Sequence, residues 1–313
     1  MDHALIALLA LAANLLLGGP RALYLRLGFA RLVQWPGQLA RHLERKLNRK
    51  HRSLAERRAR GMVLLVVGLV VPALLGLVIG ALPAGIGEWV TLALLVCLLP
   101  ARPLWDRLSQ LRRALQQGQL AQAHSVFEGT TVRHHAVLDA HSLARAGVEM
   151  MAVGACEKIL LPLMAYLLGG LPLLLSCASL CALHAALRRP GSAGDMFTAP
   201  LSGLYHGVLW VPVRVGGLLW VGAAALSPLG QWREAFSEYK QALGRPRGHE
   251  APALCAVAGA LSISLGGPGS VYGQGGWCGR GPVRIGAAEL ARAQRLFAFF
   301  LALLFVLFGL FIG

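Results

Sequence analysis

The sequence predicts an all-α, polytopic integral membrane protein with several transmembrane helices and amphipathic helices on its cytoplasmic side. Hydrophobic residues make up 56% of its 313 residues and charged residues only 14%, against a usual charged share of about 25%. So little charge cannot cover a soluble surface of this size, and part of the surface must therefore face lipid. Disorder is excluded for the bulk of the chain, because disordered segments are poor in Leu, Val and Ile.

The charges that are present are mostly positive. Thirty Lys and Arg against fourteen Asp and Glu give a formal net charge of +16, and residues 21–60 alone hold twelve of the basic residues. In a membrane protein this excess marks cytoplasmic loops beside anionic lipid rather than nucleic-acid binding. We therefore predict a multi-pass protein of the inner (plasma) membrane without a nucleic-acid partner. Residues 1–313 form one membrane domain with cytoplasmic loops at 21–60, 102–147 and 233–295.

The candidate spans are mostly apolar segments, since a helix needs about 20 apolar residues to cross the hydrocarbon core. Pro83 and Gly85 predict the turn of a helical hairpin, and Gly169 and Gly170 predict a second break. The first span is interpreted as retained rather than as a cleaved signal, because the basic residues follow it. The predicted spans are 4–20, 61–82, 83–101, 148–168, 170–187, 196–232 and 296–313.

The span 196–232 is predicted to be broken, because its single charge, Arg214, divides it into two halves of 18 residues. An intramembrane charge is costly and normally faces a cavity or a partner. In the alternative, Arg214 lies at a membrane surface between two short segments. The sequence leaves both interpretations open, and with them the side on which the last loop lies.

Two cytoplasmic stretches, 41–60 and 105–126, place leucines at helical spacing among polar residues. This pattern predicts amphipathic helices that lie along the membrane or pack on each other. The six Cys residues include no CxxC pair, and most lie in apolar runs. We expect them to be small buried hydrophobic residues rather than a disulfide framework or a metal site.

The most unusual stretch is a glycine-rich loop at 265–276, Leu-Gly-Gly-Pro-Gly-Ser-Val-Tyr-Gly-Gln-Gly-Gly. Glycine this dense lets backbone amides approach an anion or a flat ligand closely. No Gly-Lys-Ser/Thr follows, which excludes a Walker loop, and no strand and helix flank a dinucleotide fingerprint. A flexible turn ahead of the last helix is the alternative to a ligand-binding loop.

Acidic and imidazole side chains offer few candidates for catalysis or metal binding. Glu149 and Glu157 are eight residues apart on a predicted helix and could face the same side, although Glu157 beside Lys158 is more simply an interface ion pair. His184 and His206 lie in apolar runs, where an ionisable group is either functional or a hydrogen-bonded structural residue. No histidine matches a ligand spacing such as HExxH.

Several short motifs follow one another in an order that is similar to one known family. They are Leu17-Gly18-Gly19-Pro20, Val33-Gln34-Trp35-Pro36-Gly37, Arg145-Ala146-Gly147-Val148-Glu149, Gly169-Gly170-Leu171-Pro172, Val211-Pro212-Val213-Arg214, and Leu265-Gly266-Gly267 with Tyr272-Gly273. No single motif is decisive, but the ordered set is specific. The chain resembles the CobD/CbiB family of cobalamin biosynthesis over nearly its whole length.

The resemblance implies an inner-membrane, amide-forming ligase that joins adenosylcobyric acid to aminopropanol or its phosphate, giving adenosylcobinamide (phosphate), with ATP and Mg²⁺. The expected partners are a corrinoid, the amino alcohol and the lipid bilayer, and a homo-oligomer is left open. Basic side chains and the glycine loop would bind the substrates. These expected binding residues are Arg133, Arg145, Arg214, Gly266, Gly267 and Tyr272. Glu149 and Glu157 are the expected catalytic carboxylates, as base or metal ligand.

The resemblance is uneven, because positions where the family typically carries acids or amides are largely changed. Residues at such positions here include Gly19, His134, Val153, Cys181, His184, Tyr205 and His206. The change removes the usual carboxylate ligands of Mg²⁺.

Two interpretations follow from these changes. The chain is a divergent synthase that uses Glu149, Glu157 and the histidines, or it is a catalytically degenerate membrane sensor or signalling protein. The AmpE-type membrane proteins, to which residues 209–214 are also similar, are an example of such a sensor or signalling protein. A transporter is disfavoured because we find no internal repeat.

Overall fold

The computed structural model describes residues 3–17, 37–38, 40–46, 48, 53–83, 85–127, 139–187, 195–228, 230–244, 248, 250–267, 270 and 276–310. Among these residues the longer helices are α1 (His3–Leu17), α2 (Leu54–Gly80), α3 (Ile86–Leu98), α4 (Ala101–Gln116), α5 (Leu120–Ser125), α6 (Ala140–Ala155), α7 (Leu161–Leu187), α8 (Ala199–Leu226), α9 (Trp232–Gly244), α10 (Ala251–Leu261) and α11 (Ala287–Leu310). Residues 37–38 and 40–46 are also helical. A π-helix, Cys156–Leu160, links α6 to α7, and β1 (Leu265–Gly266) pairs antiparallel with β2 (Trp277–Cys278).

The helices confirm the predicted all-α membrane architecture. Within the described ranges, five helical stretches are long and apolar enough to cross a membrane. They are Leu54–Gly80, Ile86–Gln116, Ala140–Leu187, Ala199–Leu226 and Ala287–Leu310. Large apolar side chains along α2, such as Val66, Val70, Leu74 and Val78, are about half exposed, and a continuous exposed apolar surface of this kind marks a lipid-facing side.

Two predicted breaks coincide with non-helical backbone at glycine residues. Gly85, with φ of 93°, precedes α3 at the predicted hairpin turn. Inside α7, Gly169 and Gly170 leave the helical region, and Gly170 has φ of 62°. A positive φ is accessible to glycine without the steric cost that other residues carry.

The predicted break of the span 196–232 is not found, because α8 runs without interruption from Ala199 to Leu226. Pro212 lies inside it, yet the helix continues. The charge of Arg214 does not interrupt it either, since the guanidinium lies 3.8 Å from the centroid of the Trp210 ring and Nη1 donates to the Trp210 carbonyl at 3.3 Å. The arginine thus has an aromatic partner on its own helix, and its charge does not require the helix to end there.

The first of two compact units contains residues 1–100 and 161–209. Its centre is the packing of α2 on α7, where the Oγ atoms of Ser176 and Ser179 donate to the Leu69 carbonyl at 3.1 Å and the Gly68 carbonyl at 2.7 Å. Small and hydroxylated residues at helix contacts are typical of membrane bundles. α1 packs on α3, and Asn14 Nδ2 donates to the Val96 carbonyl at 3.0 Å.

The second unit contains residues 101–160 and the chain from Trp210 onward. Its aromatic core stacks Trp220 on Phe300 with ring centroids 4.3 Å apart, and Trp220 Nε1 donates to the Ala152 carbonyl at 3.3 Å. The helix α4 is amphipathic as predicted and buries Leu104, Leu108 and Leu111. α9 packs closely on α10, and the latter is buried along its whole length.

One expectation about the cysteines is wrong. Cys255 in α10 and Cys278 in β2 form a disulfide with their Cα atoms 4.8 Å apart. Their separation of 23 residues has no short spacing motif, and the pair comes together only because the ribbon folds back onto α10. Closing a loop of this length stabilises the fold by about 3 kcal/mol. Cys156 and Cys177 are free and buried, as expected.

The α2–α7 contact gives a first testable prediction. A Cβ atom at Gly76 would lie 2.6 Å from the backbone of Pro172, whereas a Cβ at Gly80 would meet nothing within 4 Å. We expect Gly76→Ala to push the two helices apart and to destabilise the protein by about 1–3 kcal/mol. Thermal unfolding in detergent measures this, with Gly80→Ala as the matched control. Equal melting temperatures for the two variants would contradict the packing.

Candidate functional site

The candidate site is built on α6, which carries two of the predicted residues, Arg145 and Glu149, one helical turn apart on the same face. Asp139 caps the start of α6 and accepts a hydrogen bond from the Ser142 backbone N–H at 2.9 Å. This contact with Ser142 lowers the pKa of Asp139. The carboxylate therefore supports the cap at neutral pH, and its contribution is lost as the pH falls through the lowered pKa.

Glu149 holds the glycine loop through both of its carboxylate oxygens. Its Oε1 accepts a hydrogen bond from the Gly266 backbone N–H at 2.8 Å, and its Oε2 accepts one from Ser270 Oγ at 2.6 Å. The side chain is only 2% exposed. Two hydrogen bonds to a buried carboxylate reduce the cost of removing it from water. The geometry therefore makes Glu149 the anchor of the loop.

The loop approaches α6 so closely because two of its residues are glycines in the left-handed region. Gly266 and Gly267 have φ values of 83° and 80°, and a Cβ at Gly267 would lie 2.5 Å from the Trp277 ring. The backbone of Gly267 also donates to the Gly276 carbonyl at 3.2 Å, which extends the ribbon beyond β1. Only glycine satisfies both the backbone angle and the space.

Arg145 lies beside this loop and is held in place by its surroundings. Its Nη1 donates to the Val283 carbonyl at 2.7 Å and its Nη2 to Ser142 Oγ at 2.9 Å. The guanidinium carbon lies 5.6 Å from the centroid of the Trp277 ring. A guanidinium has five N–H donors, so the contacts to described residues leave donors for an anion.

Trp277 is a site residue that the sequence analysis missed. Its ring contacts both Gly267 and Arg145, and the residue is 39% exposed. The available signal was an aromatic residue directly after Gly275 and Gly276. That signal is weak, because only the pairing of Trp277 with Gly266 in the ribbon brings the ring over α6.

Arg214 lies elsewhere in the second unit. Its guanidinium covers Trp210, and its carbonyl accepts a hydrogen bond from Tyr239 Oη at 3.1 Å. Burial raises the pKa of Tyr239, and the charge of Arg214 opposes this shift. Among the residues that the structure describes, the contacts of Arg214 are with Trp210 and Tyr239, and none is with the glycine loop.

The remaining predicted residues are distributed as follows. Glu157 is half-buried in the π-helix and makes no hydrogen bond or ion pair to any residue that the structure describes. The helix axis rises about 12 Å over the eight residues from Glu149, so the two carboxylates do not form a pair. Arg133 and Tyr272 lie outside the described residues.

A second cluster lies in the first unit, at positions where the resemblance leads one to expect acids. The rings of His184 and Tyr205 stack with centroids 3.7 Å apart, and His206 meets His184 edge-on at 5.8 Å. Imidazole and phenol groups do not supply the carboxylate oxygens that Mg²⁺ prefers. In the part of the chain that the structure describes, no three His, Cys, Asp or Glu residues are grouped so as to hold a metal ion. These donors do not fit magnesium.

Comparison with known proteins covers nearly the whole chain. A family model described as "CobD/Cbib protein" matches residues 7–297. The cobalamin biosynthesis protein CobD of Rhodobacter capsulatus is 28% identical over 282 residues, which cover 86% of this chain and 83% of the relative. The cobalamin biosynthesis protein CbiB of Salmonella arizonae is 27% identical over 276 residues, 84% of this chain and 85% of the relative. No solved structure matches.

The anchoring role of Glu149 gives a second testable prediction. In Glu149→Gln, the amide keeps one acceptor oxygen but turns an NH₂ group toward a hydrogen-bond donor of the loop. We expect a loss of about 1–3 kcal/mol in the free energy of unfolding, measured in detergent by chemical denaturation. Glu157→Gln is the matched control on the same helical stretch and should change stability by less than about 0.5 kcal/mol. A Glu149→Gln protein as stable as the control would show that the loop does not depend on this carboxylate.

Proposed function

Since this chain belongs to the CobD/CbiB family, we propose that it acts in cobalamin biosynthesis by joining aminopropanol or its phosphate to adenosylcobyric acid. An amide forms between a corrinoid carboxyl group and the amine. The observation that carries the site of this proposal is the placement of Arg145 beside the glycine loop anchored by Glu149. The proposed location is the inner membrane, with the basic loops on the cytoplasmic side, supported by the apolar helices and the positive net charge.

Arg145 is the proposed contact for a negatively charged substrate group, either a phosphate or a corrinoid carboxylate. A planar guanidinium binds such groups with two parallel hydrogen bonds. The hydrogen bonds to Val283 and Ser142 restrict its position before substrate arrives, which lowers the entropic cost of binding. The Trp277 ring beside it limits access of water to one side of the guanidinium.

Glu149 has a different proposed role from the arginine. Both of its oxygens already accept hydrogen bonds from the loop, so the contacts favour a positioning residue. Its predicted role as base or metal ligand, shared with Glu157, stays a prediction. Arg133, Arg214 and Tyr272 likewise stay predicted substrate contacts.

ATP and Mg²⁺ belong to this proposal through the family alone. The described side chains do not form a magnesium site, so no step is assigned to the metal. The chain's own contribution, as proposed, is to bind the anionic group and to fix the loop against it. Proximity of the two reactants then supplies much of the rate enhancement.

A second candidate is a catalytically degenerate, AmpE-like membrane sensor. One observation favours it: His184, Tyr205 and His206 lie together where the resemblance leads one to expect acids. A protein that kept the fold and lost the metal ligands would retain corrinoid binding without turnover. Activity of the purified protein separates the two candidates.

The synthase proposal predicts rescue of a bacterial strain whose own family gene is deleted. The rescued cells should grow in a manner that depends on cobyric acid feeding. The purified protein in detergent should convert adenosylcobyric acid and aminopropanol phosphate to the amide with ATP and Mg²⁺. Mass spectrometry detects the product as the condensed species that has lost water. If the protein at normal expression gives no rescue and no product, the synthase proposal is refuted and the sensor proposal remains.

Substitution of the guanidinium tests the proposed substrate contact. We expect Arg145→Ala to lower kcat/KM about 10- to 100-fold, because a hydrogen bond to a charged group contributes about 1.5–3 kcal/mol. Arg113→Ala is the matched control, since Arg113 is an exposed arginine of the same unit whose Nε donates to the Ser109 carbonyl one turn back. Equal kcat/KM values for the two variants would remove Arg145 from the site.

A further inference from the structure

Two buried cysteines join the far end of the glycine loop to α10. Cys255 is fully buried in the middle of that helix, and Cys278 in β2 is 3% exposed. Their sulfur atoms form the disulfide described above. This one covalent bond holds the strand that follows the loop against α10, and the pairing of Cys278 with Leu265 holds that strand beside the one that precedes the loop.

The disulfide lies next to the residues that form the candidate site. Trp277 adjoins Cys278 and carries the ring that contacts Gly267 and Arg145. Leu265, opposite Cys278, adjoins Gly266, whose N–H donates to Glu149. A movement of β2 away from α10 would therefore displace the Trp277 ring and, through the pairing of the two strands, disturb the Gly266 amide.

The proposed location of the pair favours a reversible bond over a permanent one. The function proposed above puts residues 233–295 on the cytoplasmic side, where disulfides are rare and, when present, are usually redox-sensing or catalytic. Within the described residues, the β1–β2 ladder pairs Leu265 with Cys278 and Gly266 with Trp277, and one further hydrogen bond joins Gly267 to Gly276. So short a ladder opens locally at low cost, which gives a small thiol access to the buried sulfur of Cys278.

We propose that Cys255 and Cys278 form a redox-modification site that sets the register of the glycine loop, a proposal that rests on the function proposed above. In reduction, the thiolate of a small thiol of the glutathione class attacks Cys278 Sγ, and the electron pair of the broken bond leaves on Cys255 Sγ, which takes up a proton. A second small thiol releases Cys278 as a thiol. The sum is one protein disulfide and two small thiols giving two protein thiols and one small disulfide. Oxidation is the reverse exchange.

Thiol mapping of the full-length protein in detergent tests the chemistry without any substrate. The protein is equilibrated at graded ratios of reduced to oxidised glutathione, quenched in acid, alkylated and analysed by peptide mass spectrometry. Cys255 and Cys278 should change together from a linked peptide to two alkylated thiols, whereas Cys97, Cys156, Cys177 and Cys181 should remain thiols throughout. The absence of a linked peptide at every ratio would overturn the proposal. So would a link that survives the most reducing buffer.

Amide hydrogen exchange tests the consequence for the loop. We expect the backbone N–H groups of Gly266 and Gly267 to exchange on the order of tenfold faster in the reduced protein. Cys255→Ser should exchange at the reduced rate even in oxidising buffer, and Cys97→Ser should follow the unmodified protein. Equal rates in the two buffers would overturn the control of the loop, and this comparison requires no variant.

These measurements also distinguish failure of this inference from failure of the proposed function. Thiol mapping and hydrogen exchange report on the protein alone, so they can succeed for a protein that makes no amide. An active protein whose kcat/KM is equal in oxidising and reducing buffer would retain the synthase proposal and refute redox control of the site.

Discussion

The candidate site depends on one buried carboxylate. Glu149 lies in the middle of an apolar helix, where an unpaired charge or polar group would be strongly destabilising. The Gly266 amide and the Ser270 hydroxyl satisfy it, and this requirement draws the loop onto α6. Once the loop is there, its positive φ angles require glycine at Gly266 and Gly267, and the ribbon places Trp277 against Arg145. The need to satisfy this one buried carboxylate thus positions the loop backbone, the Trp277 ring and the Arg145 guanidinium at one face of α6.

Much of the fold follows from composition and periodicity. The apolar runs predicted the membrane helices, and leucine spacing predicted the buried face of α4. Gly169 and Gly170 predicted the break in α7, where Gly170 has a positive φ that glycine adopts without strain. The uninterrupted helix α8 past Arg214 was not predictable in the same way, because in a hydropathy profile a charged residue looks like the end of an apolar segment. What keeps the helix intact is a local contact with the Trp210 ring, which becomes apparent only once side chains are placed.

The site was predictable in part, for a related reason. The sequence predicts Arg145, Glu149, Gly266 and Gly267 as site residues, and the structure brings these four together. Trp277 and the Cys255–Cys278 disulfide were missed, because both depend on the pairing of β1 with β2 across the loop. Strands of two residues carry no hydrophobic alternation by which a sequence could reveal them. Long-range pairing of this kind is fixed by tertiary contacts rather than by local pattern.

The two side-chain clusters differ in what they can bind, and this difference bears on how the chain handles negative charge. The rings of His184 and Tyr205 stack on each other, and imidazole and phenol groups do not supply the carboxylate oxygens that attract a hard divalent cation. The cluster around Arg145 instead combines a permanent cation with a loop of closely spaced glycines, and both are complementary to an anion without an intervening metal. A cation bound directly beside that guanidinium would be repelled by it. Among the described residues, the support for the proposed recognition of an anionic group therefore lies with Arg145 and the loop, and not with the cluster around His184.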